Sequence, residues 1–130
     1  MLIVRLSPTA RAVADALGVV RSFSDGSELP PTAAERLAVV VEEWVANVVE
    51  HGDAHPDSRI VLRIGHREDH LRLTVSDAGR PFDPREAVFA GPNLERGGGA
   101  GLEIIRAWSR IVDYRRRAGR NRLVLIIPLD

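Results

Sequence analysis

The stretch Glu42-Glu43-Trp44-Val45-Ala46-Asn47-Val48-Val49-Glu50-His51 decides how this chain is read. Leu37, Val41, Trp44 and Val48 recur at steps of three and four residues, the spacing that buries one face of a helix. Glu43, Asn47 and His51 fall on a second stripe. Four residues advance a helix by slightly more than one turn, so these polar groups stack up one side with a drift of about 40° per step. A carboxylate and a carboxamide one turn apart can seat a hydrated cation and a reacting hydroxyl. The same spacing also serves a solvated helix face, and the glycine motifs further along bear on the choice.

Working outward, Thr32 with Glu35 three residues on predicts a capping box that opens this helix, and Gly52 predicts its stop. Upstream, Leu2–Leu6 reads as a short strand. A helix follows from about Thr9 to Leu17 with Gly18 as its end, and then a loop from Arg21 to Pro31. Downstream, Arg59–His66 and His70–Ser76 alternate apolar and polar residues about the turn Arg67-Glu68-Asp69, an antiparallel hairpin. Asp77 to Arg96 is predicted to be a long, partly mobile loop of the kind that carries function. Gly101–Ser109 turns helical, with Leu102, Ile105 and Trp108 inward, and Ile111–Arg117 pairs with Arg122–Leu129 about Ala118-Gly119-Arg120-Asn121. Helices on one face of a mostly antiparallel mixed sheet give an α+β two-layer sandwich, here a single domain over residues 1–130.

Composition removes several functions. All 18 basic residues are arginine, and without lysine there is no P-loop, no eukaryotic-type kinase lysine and no Schiff-base amine. With no cysteine there is no disulfide, thiolate metal site or thiol nucleophile, which agrees with a reducing compartment. No apolar run spans a bilayer and no signal peptide is present, so a cytoplasmic location without membrane contact is expected. The net charge is zero but uneven: residues 1–65 carry six Arg against nine acids, and residues 66–130 twelve Arg against nine. His51 and His55 are a poor zinc pair, because Gly52 and Pro56 break the helix their spacing needs. Arg115-Arg116-Arg117 alternates across a strand and forms no continuous patch along it, so direct nucleic-acid binding is not expected.

Two further motifs carry chemistry. Asp77-Ala78-Gly79 follows directly on a strand. An ionised carboxylate there accepts from an exocyclic amine such as adenine's and disfavours guanine's carbonyl, although the motif also serves as a plain turn. Arg96-Gly97-Gly98-Gly99-Ala100-Gly101 leads straight into a helix, directing backbone N–H groups and the positive dipole end at one spot that suits polyphosphate.

Together, Glu43-x-x-x-Asn47-x-x-x-His51, Asp77-x-Gly79 and Gly97-x-Gly99-x-Gly101-Leu102 resemble the gyrase/Hsp90/histidine-kinase/MutL ATPase superfamily. Within it they look like the anti-sigma-factor serine/threonine kinase branch. Asp77-Ala78-Gly79-Arg80-Pro81-Phe82-Asp83-Pro84 matches that branch's first glycine box, and Leu94-Glu95-Arg96 its lid arginine. The resemblance implies the Bergerat ATP-binding fold with ATP and Mg²⁺ as ligands. It makes Glu43 the general base toward a serine hydroxyl, Asn47 the Mg²⁺ ligand and Asp77 the reader of the adenine amine. Gly79 would admit the base, Gly97, Gly99, Gly101 and Leu102 would hold the phosphates, and Arg96 would meet the γ-phosphate. The implied partners are a STAS-type anti-anti-sigma protein, which is phosphorylated, and a sigma factor, which is sequestered; a homodimer is allowed. Two departures stand out: Asn121-Arg122-Leu123 occupies the strand region where many relatives place threonine, and Trp44 stands where small residues are common. A non-catalytic ATP-binding module of the same superfamily is the alternative, and a histidine-kinase catalytic fragment a third reading.

Overall fold

Strand β1 (Leu2–Leu6) leads into helix α1 (Ala12–Gly26) and the long helix α2 (Pro31–His51). The hairpin β2 (Ile60–His66) and β3 (His70–Asp77), a 3-10 turn at Pro84–Glu86, helix α3 (Ala100–Trp108) and the hairpin β4 (Arg110–Arg117) and β5 (Arg120–Pro128) follow. This computed structural model describes residues 1–86 and 100–130. The strands form one sheet in the order β1-β2-β3-β5-β4, every pairing antiparallel, so the sheet is not mixed in this part of the chain.

Strand alternation explains the two layers. Leu62, Ile64, Leu71, Leu73, Leu123 and Leu125 project to one side and meet Leu37, Val41, Trp44 and Val48 of α2, all buried as their spacing predicted. The α+β sandwich therefore stands as expected. Pairing in β3 and β5 sets Asp77 opposite Asn121 at one end of the sheet and His70 opposite Pro128 at the other. The Arg120 end closes through Ala118 and Gly119, both at positive φ (52° and 78°), which fits the twist of a two-residue hairpin turn.

Three local expectations are corrected. Helix α1 runs through Gly18 to Gly26, because Ala12, Ala16, Val20 and Ser24 bury one face at steps of four and outweigh one glycine. The loop expected from Arg21 is helical as far as Gly26. Helix α2 has no capping-box bond: Pro30 is the N-cap, Pro31 supplies a preset φ at the first position, and Thr32 already lies inside the helix. Trp108 is 37% exposed at the end of α3, where Ile105 fills the core position instead.

Candidate functional site

Helix α2 links both halves of the site. Its C-terminal end meets the end of β3: the Arg80 N–H donates to Gly52 O at 2.7 Å. A Cβ on Gly79 would lie 2.8 Å from Gly52 O and 2.9 Å from Asp77 Oδ1, so only glycine lets these segments approach. Nearer its middle, α2 meets the head of α3. A Cβ on Gly101 would lie 2.5 Å from Glu43 Oε2, which places the Glu43 carboxylate against the first turn of α3. Glu43 and Gly52 are nine residues apart, roughly 13 Å along the helix. That is of the order of the length of a nucleoside triphosphate, with Asn47 between the two ends.

At the β3 end, Asp77 is 3% exposed. Its Oδ1 accepts from the Gly79 N–H at 2.8 Å and from Asn121 Nδ2 at 3.1 Å. Both bonds land on one oxygen, which leaves Oδ2 for a ligand donor. Asn121, 4% exposed, also donates to Arg80 O at 2.7 Å, while its Oδ1 accepts from Arg116 at 3.0 Å and from the Tyr114 hydroxyl. Arg116 donates to Gly79 O at 2.8 Å, and the Phe82 N–H donates to Tyr114 Oη at 3.2 Å. The carboxamide is thus used on both sides, and its orientation is fixed. Asn121 ties the carboxylate, the glycine turn and β4 into one network.

Reading the sequence left Asn121, Tyr114 and Arg116 without roles. The register of the final hairpin was the signal: pairing Asp77 with Asn121 puts the carboxamide on the carboxylate's side of the sheet. Trp44, the other departure, is 2% exposed in the core, its ring centroid 6.0 Å from that of Phe82. It anchors the chain just beyond the glycine turn onto α2. Its indole N–H is buried with no hydrogen-bond partner among the described residues.

At the α3 end, Glu43 is half-buried, and that burial raises its carboxyl above the ordinary value; the carboxylates of Glu42 and Glu50 push the same way. A proton acceptor held nearer neutrality suits general-base work. Asn47 is half-buried one turn on and its carboxamide makes no hydrogen bond among the described residues, so its oxygen can serve a hard cation. His51, at the helix end, is exposed beside Glu50 at 3.7 Å. Leu102 packs on the core edge. Arg96, Gly97 and Gly99, with the rest of the expected lid, lie outside the described residues. No group of three or more metal-ligating side chains occurs among the described residues. A cleft of about 710 Å³ at the far end of the sheet, lined by Arg36, His70, Trp108 and Pro128, contains none of the candidate residues.

The two-layer α+β fold, with α2 meeting the Gly79 turn at its C-terminal end and Gly101 of α3 nearer its middle, is that of the ATPase class to which the family match assigns the chain. The histidine kinase-like ATPase domain matches residues 6–127, and the chain belongs to that family. The serine/threonine-protein kinase BtrW of Bordetella bronchiseptica is 30% identical, over 92% of this chain and 88% of its own. Among solved structures, the RsbU and RsbW domains of Rv1364c from Mycobacterium tuberculosis align with a TM-score of 0.64 at 20% identity, covering 98% of this chain and 32% of that one. The SiaB-SiaC complex of Pseudomonas aeruginosa aligns with a TM-score of 0.64 at 17% identity, over 98% of this chain and 89% of that one. These two likenesses are of fold. Among the described residues no helix is long and apolar enough to cross a membrane.

Proposed function

We propose that this chain is an ATP-dependent protein serine/threonine kinase that phosphorylates an anti-anti-sigma partner and sequesters a sigma factor. The observation that carries the reading is the Glu43 carboxylate, half-buried against Gly101 at the head of α3. A module that only held nucleotide would need no base there. The kinase named among the relatives and the solved SiaB-SiaC complex support the same direction.

In this reading Asp77 Oδ2 accepts from the adenine amine, and the Asn121 network holds the carboxylate still. Gly97, Gly99 and Gly101 cradle the phosphates, Leu102 backs them, and Arg96 pairs with the γ-phosphate. Asn47 would hold Mg²⁺ through its carboxamide oxygen, and the bound ion would neutralise phosphate charge. Glu43 takes the proton of the partner's serine hydroxyl as that oxygen bonds to the γ-phosphorus and ADP departs. Incubation with γ-labelled ATP and a STAS-type anti-anti-sigma protein of the same organism should give phosphoserine on that protein, and ATP should change which partner co-elutes. ATP binding without transfer to any such partner would leave the non-catalytic module as the reading.

A further inference from the structure

The face of the sheet turned away from the helices carries the larger charge feature of the molecule. Register places Arg5, Val61, Ser76, Arg122 and Arg115 in one row across all five strands. Alternation puts Arg63 and Arg72 on the same side in the next two rows, and Arg117 beyond Arg115 on β4. All six arginines are exposed. On the strands, one acid, Asp113, shares this side, and it is already paired with Arg115 Nε at 2.9 Å. The arginine run of β4 makes no patch along its own strand, but its outward members gain cross-strand neighbours. Arg116, between them, turns to the other side and reaches Gly79.

We infer that this open face is a docking surface for a partner protein presenting a carboxylate-rich stripe. The whole chain is neutral while this face sets six arginines against one acid on its strands, so it is locally positive and steers an acidic partner in one orientation. Guanidinium forks match carboxylates in pairs, and the half-buried Val61 and Ile126 between them offer small apolar ground for a protein interface. Nucleic acid fits less well. Sheets that take single strands present several stacking aromatics, whereas the strand positions of this face carry no Phe, Tyr or Trp among the described residues and only His70 at its edge; a duplex groove takes a protruding helix or ribbon, not a broad sheet. The residues of the nucleotide end project to the opposite side, so docking here and nucleotide binding are compatible. This inference does not depend on the kinase reading.

The test uses the full chain and a labelled helical peptide of about 20 residues with a stripe of glutamates, beside a matched peptide bearing glutamines. Anisotropy should show the Glu peptide binding at least about tenfold tighter than the Gln peptide, with ATP present or absent, and weakening as salt rises. R63Q/R72Q/R122Q should lose about tenfold or more with thermal unfolding unchanged, and R63K/R72K/R122K should keep part of the binding. Equal binding of the two peptides, or full binding by the folded triple Gln variant, overturns the inference. Stronger binding of duplex DNA or phosphatidylserine vesicles that the same variant abolishes also overturns it, as does self-association of the chain lost in that variant.

Discussion

At the residue scale, the site rests on two carboxylates in different settings. Asp77 is buried and doubly bonded on one oxygen, so its role depends on Asn121 holding it. Asn121→Leu leaves Asp77 with the Gly79 N–H as its remaining donor and takes the carboxamide donor from Arg80 O, so it should weaken ATP binding by about 1–3 kcal/mol and narrow its preference for ATP over GTP. Calorimetry with both nucleotides checks this; an unchanged preference would remove Asn121 from the positioning of Asp77. Tyr114→Phe removes one neutral bond and should cost less, about 0.5–1.5 kcal/mol. Glu43 is held above its ordinary 4.5 by burial and by Glu42 and Glu50, so its ionisation opposes folding. Its stabilising, protonated form is fully present below 4.5 and is lost as pH rises through the raised value. Glu43→Gln should therefore unfold at a slightly higher temperature than wild type at pH 7, with the difference closing below about pH 4.5. A melting series across pH reads this directly, and a gap that widened toward acid would contradict the assignment.

At the element scale, the helices show where the sequence was legible and where it was not. The spacing of Leu37, Val41, Trp44 and Val48 located α2 and its buried face, because seven-residue apolar periodicity reflects burial itself. Gly18 misled, because a glycine stops a helix only where no burial resists it, and Ala16, Val20 and Ser24 continue the buried stripe of α1. A Cβ at Gly18 meets no atom within 4 Å, so Gly18→Ala should stabilise the protein by roughly 0.5–1 kcal/mol in denaturant unfolding. Trp44 was legible as apolar but not as an anchor, since its contact with Phe82 joins segments far apart in the chain. Trp44→Phe keeps a ring on Phe82 and removes a buried unpaired N–H worth about 1–3 kcal/mol, whereas Trp44→Ala opens a cavity costing about 3–5 kcal/mol. Loss of several kcal/mol in the Phe variant would mean that the indole N–H has a partner.

At the scale of the whole molecule, α2 sets the distance between the Gly79 end and the Gly101 end of the candidate site, and the sheet register sets what stands behind Asp77. The motif spacing made Glu43, Asn47, Asp77, Gly79 and Gly101 visible before any fold was known. The register that brings Asn121, Tyr114 and Arg116 behind Asp77 needed the folded sheet, because β3 and β5 are neighbours only after α3 and β4 have crossed between them. The central claim is that Glu43 acts on a proton and not on nucleotide binding. Phosphotransfer from γ-labelled ATP to the proposed anti-anti-sigma partner, measured for wild type and Glu43→Gln beside their ATP affinities, tests it most directly. The expected result is near-equal affinity with transfer slowed at least about a hundredfold in the variant. Transfer by Glu43→Gln at the wild-type rate would contradict it.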